Sequence, residues 1–243
     1  MNNKSWGFIG TLLLGVVIIF LLGVGQILPI YLYASMVDPI VNFATLREYT
    51  NVMENDAFLL SISAIGSTLF VIPFIIFFVK IKGSSSKSYF SLNYVNGKKI
   101  FFWIFITFLL ILLEDFTIYI MGLQNIPDFM LNITYPTELS KWLLVIAIAF
   151  FAPILEELIF RGFLLKGFSN SFLGIYGAIV LTSLIWAMIH TQYEWGYLVI
   201  IFITGLVLGY AKIKTNSLFI PILMHITFNL FASLELYFEK GIL

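Results

Sequence analysis

The sequence predicts an all-α membrane protein, a polytopic bundle of about seven transmembrane helices. Hydrophobic residues make up 60% of its 243 positions and charged residues only 11%, whereas soluble domains carry about 25% charged residues. The mean hydropathy is +1.02, and the apolar residues are collected in runs long enough to cross a bilayer. A chain with so little polar surface cannot cover a water-exposed globule, so a lipid bilayer must be much of its solvent.

Apolar runs of roughly 17 to 25 residues identify the expected spans. They comprise residues 7–28, 57–79, 100–120, 142–165, 174–190, 196–211 and 218–236. The first run is longer than the apolar core of a signal peptide, and we expect it to be an uncleaved anchor. No internal repeat or soluble segment interrupts the pattern, which predicts one membrane domain over residues 1–243.

The charges between the spans predict the orientation of the chain. Residues 80–99 contain five lysines and no acid, which is typical of a cytoplasmic loop. With this loop inside, nine basic residues fall on the cytoplasmic side, and Arg47, Lys141 and Lys240 fall on the other side. The amino terminus is therefore expected inside and the carboxyl terminus outside. The abundance of Phe, Ile, Asn and Lys suits an AT-rich genome, so we expect a bacterial cytoplasmic membrane.

The composition also excludes some kinds of chemistry. The chain has no cysteine, which excludes disulfides, thiol catalysis and thiolate metal sites. Its formal net charge is zero, which by itself says nothing about partners. From the hydropathy we expect the lipid bilayer as a partner, and we expect no nucleic acid.

Two sets of small residues predict close packing between helices. Gly205 and Gly209 form a GxxxG spacing in the sixth run, and Gly174, Ala178 and Thr182 form a stripe in the fifth. Such spacings let membrane helices approach closely. Packing within the chain is favoured over a homodimer, and the sequence leaves the oligomeric state open.

Three ionisable residues interrupt the fourth apolar run. Glu156, Glu157 and Arg161 lie in the stretch APILEELIFRGFLL, and an ionisable side chain near the bilayer centre costs about 2.5 to 3.5 kcal/mol even on the lenient insertion scale. On a helix, Glu157 and Arg161 stand at i and i+4 and can form an ion pair. Glu156 points about 100° away from Glu157 around the axis, so its partners must come from other helices. Taken alone, the three residues suit a packing clamp as well as a functional site.

Both histidines of the chain lie in predicted spans. His225 has Asn229 at i+4 on the same helical face, and His190 has Trp186 at i−4. A lone histidine on an apolar face is more often a core residue than a catalyst. Two imidazoles, the unpaired carboxylate of Glu156 and an amide, however, can hold and deprotonate a water and stabilise an oxyanion. The combination indicates a hydrolytic site.

Three motifs in this order resemble the intramembrane peptidases typified by the CAAX prenyl endopeptidase, a family that includes bacterial Abi and bacteriocin self-immunity proteins. The matching residues are Glu156, Glu157 and Arg161 for the family's EExxxR, Trp186 and His190 for its FxxxH, and His225 and Asn229 for its HxxxN. Residues 142–236 are therefore the expected catalytic-motif core. The first 140 residues resemble the family only in hydropathy.

The resemblance implies an intramembrane endopeptidase that hydrolyses a peptide bond in a membrane-anchored peptide or protein. It implies these roles: a water-activating base at Glu156, groups that hold the water and stabilise charge at His190, His225 and Asn229, and support from Glu157 and Arg161. Trp186 would keep an aromatic wall where the family has Phe. A prenylated substrate is not implied, because bacterial relatives are associated with other substrates.

The cofactor is left open by the residues. Glu156, His190 and His225 with a water would also make a zinc site with an open position. No HExxH is present and the two histidines lie on different helices. A metal-free glutamate mechanism is therefore favoured, and zinc is the alternative.

Two other functional classes compete with a peptidase. Intramembrane acids and histidines also mark proton paths, and Glu114 and Asp115 in the third run fit either a proton-coupled transporter or simply a polar helix end. Transporters more often show interrupted helices in matching halves, which this sequence lacks. The third class is a non-catalytic membrane scaffold that keeps the motifs as structure.

Depth in the membrane is a test of the shared site. Counting about 1.5 Å per residue from the cytoplasmic ends of the spans places Glu156 about 15 Å deep, His225 about 12 Å and His190 about 24 Å. If the three residues act together, the helices must tilt or the fifth helix must be displaced towards the cytoplasm.

Overall fold

The computed structural model describes residues 4–38 and 40–242, most of which are helical. The helices are α1 Phe8–Val37, α2 Phe43–Met53, α3 Ala57–Ile81, α4 Ser86–Tyr89, α5 Gly97–Met121, α6 Asp128–Leu131, α7 Glu138–Ser169, α8 Gly174–Met188, α9 Trp195–Thr215 and α10 Phe219–Glu239. Within these residues, six helices are long and apolar enough to cross a membrane, and α8 is a shorter apolar helix of 15 residues. The predicted bundle of about seven spans is confirmed, and the chain is an integral membrane protein.

The ends of two helices differ from the apolar runs. α1 continues to Val37 with Pro29 inside it, because the residues that follow position 28 remain largely apolar. α8 ends at Met188, where the polar sequence His190-Thr191-Gln192 stops the apolar run. His190 therefore lies in the turn after α8, and the prediction that both histidines lie within spans is wrong for His190.

Helix α7 changes its winding twice around the carboxylates. A short α-helical stretch, Ala152–Glu157, lies between two π-helical segments, Ala147–Phe151 and Leu158–Leu164. π-helical turns are rare and often occur at functional sites. Because the π segment begins directly after Glu157, the angle between Glu156 and Arg161 is not the one expected for a regular α-helix.

The other spans surround α7. It contacts α1, α3, α8, α9 and α10, and Leu155, Phe160 and Phe163 contribute its apolar side chains to the largest core cluster. Its first turn is fixed by a capping box between Thr137 and Ser140, which satisfies amide groups that the helix itself leaves free. The polar residues of α7 are therefore held at the centre of the bundle.

Small residues allow close contacts between neighbouring helices. A Cβ atom added to Gly205 would lie 2.9 Å from Ser183 Cβ, and one added to Gly209 would lie 3.0 Å from Ile179 Cγ2. The GxxxG spacing thus packs α9 against α8 of the same chain, where Ala178 and Thr182 are buried. This close approach brings the backbone of α9 next to the charged residues of α7.

The connecting segments form two chemically different ends of the bundle. At the lysine-rich end, defined as residues 4–7, 80–96, 166–173 and 212–218, Ser84 donates to the Lys4 carbonyl at 2.6 Å and Asn93 donates to the Asn216 carbonyl at 2.7 Å. At the far end, defined as residues 40–56, 122–137, 189–194 and 240–242, the Ala57 amide that follows it donates to the Thr134 carbonyl at 3.0 Å. Along the chain, successive spans therefore run between the lysine-rich end and the far end in alternating directions, as predicted.

Gly66 should be essential for packing α3 against α1. A Cβ atom at this position would collide with the ring of Pro29, and overpacking typically costs about 1–3 kcal/mol. We expect Gly66→Ala to lower the melting temperature in detergent by several degrees.

Gly23→Ala on α1 is the matched control, because nothing lies within 4 Å of a Cβ atom added there. This variant should melt at or above the wild-type temperature, since alanine favours helix over glycine. Equal melting of the two variants would contradict the close approach at Gly66.

Candidate active site

A fully buried ion pair lies at the centre of the candidate site. Arg161 Nη1 donates to Glu157 Oε1 at 2.8 Å, and both side chains are 0% exposed. Arg161 Nη2 donates to the Gly205 carbonyl at 3.2 Å, and the guanidinium lies 4.4 Å from the ring centroid of Trp186. The charges are thus neutralised within α7, as the i, i+4 spacing predicts, while α8 and α9 supply additional contacts.

Glu157 also fixes the orientation of His225. Its Oε1 atom lies 3.0 Å from His225 Nδ1. A carboxylate paired with Arg161 can only accept hydrogen bonds, so Nδ1 carries the hydrogen and donates it. The other ring nitrogen, Nε2, then faces Glu156 Oε2 at 4.0 Å. Glu157 thereby determines which nitrogen of His225 is available on the Glu156 side.

Glu156 takes its partners from other helices, as the sequence predicts. The indole Nε1 of Trp186 donates to Glu156 Oε2 at 2.6 Å. The Glu156 side chain is 24% exposed, in contrast to that of Glu157. Sequence reasoning assigned Trp186 only the part of an aromatic wall. Its indole N–H donates a hydrogen bond to the carboxylate. A phenylalanine side chain has no such donor.

His190 lies beside the same tryptophan although it is outside α8. The two rings meet edge to face with centroids 5.3 Å apart, and the Trp186 and His225 rings do the same at the same distance. His190 Nδ1 lies 2.7 Å from the Trp186 carbonyl, which can only accept, so Nδ1 is the donor. Trp186 therefore contacts both histidines and Glu156, and the turn after α8 brings His190 to the site.

Asn229 is held by an irregularity of α7. Its Nδ2 atom donates to the Ile148 carbonyl at 2.9 Å. In the π-helical segment the amide of Ala152 bonds five residues back, to Ala147. The equivalent donor for Ile148 would be Pro153, which has no N–H. The side chain of Asn229 supplies the missing hydrogen bond, and its oxygen and second N–H remain for other partners.

A cavity of about 970 Å³ connects these residues. The predicted site residues that line it are Glu156, Trp186, His190, His225 and Asn229. Glu157 and Arg161 are buried and are not among the lining residues. The fold thus gathers side chains from α7, α8, α10 and the turn after α8 at one cavity.

Other polar residues line the cavity that the motifs did not identify. Tyr193 follows His190 in the turn, and its ring centroid lies 6.0 Å from that of His190. Burial raises the pKa of Tyr193 above its ordinary value, and the nearby carboxylates of Glu114 and Glu156 act in the same direction. The hydroxyl therefore stays protonated at neutral pH and can donate a hydrogen bond. Its position close after the WxxxH motif was the available sequence signal.

Glu114, from α5, also lines the cavity. A smaller adjoining cavity of about 100 Å³ is lined by Glu114, Asp115 and Glu235. The sequence shows Glu114 and Asp115 as neighbours, 42 positions or fewer before Glu156. The fold adds Glu235 from α10 and places Glu114 in the same cavity lining as Glu156. Periodicity within α5 alone could not reveal this meeting.

A metal ion at this site would need several His, Asp or Glu side chains close together. In residues 4–38 and 40–242, no group of three His, Asp or Glu side chains is arranged closely enough to hold a metal ion. Both histidines direct Nδ1 to an acceptor, an arrangement that metal-binding histidines also use. A zinc ion held by Glu156, His190 and His225 would require these side chains to move closer together.

The family comparison concerns the part of the chain that carries the site. Residues 138–231 match the family model described as type II CAAX prenyl endopeptidase Rce1-like, which confirms the resemblance predicted from the three motifs. An "Uncharacterized 24.3 kDa protein" of Escherichia coli is 29% identical over 116 residues, which are 46% of this chain and 47% of that protein. The chain thus spans about half the length of this relative. No solved structure matches the chain.

The buried pair should control the amount of folded protein. Glu157→Gln or Arg161→Met strands one buried charge, which typically costs about 3–5 kcal/mol. We expect each single variant to lower the yield and melting temperature in detergent, and the double variant to recover part of the loss.

The recovery should be incomplete, because Glu157 also orients His225. Full recovery would contradict a structural coupling between Glu157 and His225. Two losses that simply add would contradict the ion pair itself.

Proposed function

From the Rce1-like match over residues 138–231, we propose that the chain is an intramembrane endopeptidase in which Glu156 activates a water. The observation that carries the proposal is the placement of Glu156 in the lining of a large cavity together with His190, His225 and Asn229. The neighbouring acid, Glu157, is neutralised by Arg161. Only Glu156 of the motif's two carboxylates is therefore available to a substrate.

The reaction would begin with removal of a proton from water by Glu156. The water oxygen forms a bond to the carbonyl carbon of the peptide, and the carbonyl oxygen acquires negative charge. The oxyanion then re-forms the carbonyl as the carbon–nitrogen bond breaks, and Glu156 gives its proton to the departing amine. A positioned carboxylate suits both steps because it exchanges a proton with the reacting groups directly.

The neighbouring side chains would assist through hydrogen bonds. Trp186 holds Glu156 Oε2 at 2.6 Å and leaves Oε1 for the water. His225 and His190 each present Nε2 to other groups, because Nδ1 of each is occupied. The free N–H of Asn229 and the hydroxyl of Tyr193 are donors that could stabilise the developing oxyanion.

The substrate would be a membrane-anchored peptide or protein. The cavity is lined by apolar residues such as Ile201 and Phe228 as well as by the polar groups of the site. A substrate helix must unwind before its backbone can reach Glu156. A segment at the membrane interface, where the backbone is already irregular, meets this requirement at the lowest free-energy cost.

A zinc-dependent form of the same hydrolysis is the second candidate. The observation in its favour is that both histidines have Nε2 free and Nδ1 hydrogen-bonded. Bound zinc would act as a Lewis acid and lower the pKa of its water. The metal-free form is preferred because the donor atoms are not gathered around one point in the described residues.

Glu156→Gln should abolish hydrolysis and leave the fold intact. The amide preserves the size of the side chain and can still accept the hydrogen bond from Trp186, but it cannot take a proton from water. We expect peptide cleavage in reconstituted membranes to fall by at least about 10³-fold. Melting in detergent should stay at the wild-type temperature or above it, because one partly buried charge is removed.

Undiminished cleavage by Glu156→Gln would overturn the assignment of the base. A non-catalytic scaffold would instead keep its cellular effect in the Glu156→Gln background, and a proton-coupled transporter would show substrate flux without cleaved product. Cleavage and flux measured on the same vesicles, together with the cellular effect of Glu156→Gln, therefore separate the three classes.

Removal of metal distinguishes the two forms of the hydrolase. We expect cleavage to survive exhaustive treatment with a chelator, and purified protein to contain zinc well below one equivalent. Loss of cleavage with EDTA and recovery on adding zinc would establish the zinc-dependent form. Magnesium added in place of zinc is the control, because His-rich sites bind it poorly.

A further inference from the structure

The candidate active-site cavity opens at the far end of the bundle. Its lining includes residues 53–55, 129–130, 132–133 and 191–193, which all belong to the far end or to the helix termini beside it. Among them Glu54, Thr191 and Gln192 are exposed. Access for a peptide is therefore from the end opposite the five lysines of residues 80–99.

The two ends carry opposite charges. The lysine-rich end and the helix termini beside it hold nine basic residues and no acid, whereas the far end and its adjoining helix termini hold nine acids and three basic residues. Two of those three are occupied: Lys240 Nζ donates to the Leu131 and Ile133 carbonyls, and Lys141 Nζ donates to the Ile242 carbonyl. The far end is consequently acidic although the whole chain has no net charge.

The charged residues that line the cavity are likewise acidic. Its charged residues are Glu54, Glu114 and Glu156, and no Lys or Arg lines it among the residues that the structure describes. Glu54 stands at the exposed rim and Glu114 deeper, near Tyr193. A peptide on its way to Glu156 thus passes two other carboxylates.

We propose that the cavity receives its substrate from the non-cytoplasmic side of the membrane and prefers a peptide segment that carries lysine or arginine. The side follows from the lysine-rich end, since basic loops stay in the cytoplasm. The preference follows from the carboxylates along the entry route, because complementary charge guides and selects partners. Cleavage of the bound segment rests on the proposed function, but the side of entry and the preference for charge do not.

A membrane anchor on the substrate would suit entry from this side. A peptide tethered to the outer leaflet by a lipid or a membrane helix would present its polar segment at the level of residues 53–55 and 191–193. A basic side chain near Glu114 would also offset the cost of a carboxylate within a membrane span. The substrate class is therefore a membrane-tethered cationic peptide exposed on the outer face.

Cysteine labelling in intact cells tests the side of entry without any need for activity. The native chain has no cysteine, so a single introduced cysteine reports the accessibility of one position. Gln192→Cys reports on the cavity rim, and Ser85→Cys reports on the lysine-rich loop. We expect a membrane-impermeant maleimide to label Gln192→Cys in intact cells and Ser85→Cys only after permeabilisation. The reverse pattern, or labelling of both from outside, would overturn the proposal.

Binding to an inactive protein tests the charge preference. The probes are a palmitoylated octapeptide containing three lysines and the same peptide with three glutamates, each added to Glu156→Gln protein in phosphatidylcholine nanodiscs. We expect the lysine probe to bind about fivefold more tightly or better, since each exposed ion pair contributes modestly. The difference should shrink as salt is raised.

Matched glutamine variants locate the preference in the cavity. Glu54→Gln and Glu114→Gln, each combined with Glu156→Gln, should weaken binding of the lysine probe about two- to threefold each. Glu48→Gln on the exposed surface of α2 is the control, because Glu48 does not line the cavity. Equal binding of the two probes, or an equal effect of Glu48→Gln, would overturn the preference. These results stand whether or not Glu156 proves to be the base.

Discussion

The buried ion pair between Glu157 and Arg161 is the constraint on which the site depends. Both side chains are excluded from solvent, so each would be costly without the other. Arg161 ties α7 to the Gly205 carbonyl of α9 and to the ring of Trp186 on α8. Glu157 ties α7 to His225 on α10. One pair thus sets the relative positions of four helices, and GxxxG packing of α9 makes the contact with Gly205 short enough.

The irregular backbone of α7 also helps to position the side chains of the site. The π-helical segments before and after Ala152–Glu157 rotate the two carboxylates relative to the rest of α7. Pro153 leaves the Ile148 carbonyl without a helical donor, and Asn229 supplies one. A deviation in one helix is therefore satisfied by a polar side chain of another. In a bilayer, where water cannot satisfy backbone groups, such compensation is required, and here it also positions an amide at the cavity.

The carboxylates of the site are of two kinds, one neutralised by a buried guanidinium and the others without a basic partner in the cavity lining. Glu157 is neutralised and structural, whereas Glu156 and Glu114 line an open cavity without a guanidinium or ammonium among its lining residues in the described chain. The first arrangement stabilises the bundle. The second leaves carboxylates free to act on water or on a cationic peptide, at a cost that the packed bundle must offset.

The sequence by itself determined the number of spans, the pairing of Glu157 with Arg161 and the identity of the motif residues, because hydropathy and i, i+4 spacing are local properties. It also required partners for Glu156 from other helices without naming them. Only the tertiary structure decided that Trp186 donates to Glu156, that His190 sits in a turn beside it, and that Asn229 replaces the missing amide of Pro153. Counting residues from the helix ends placed His190 too far from Glu156, because depth depends on helix ends and on how the helices pack. Glu114, Tyr193 and Glu156 likewise line one cavity although they come from distant parts of the chain. Packing between helices sets that arrangement, and no periodicity within one helix encodes it.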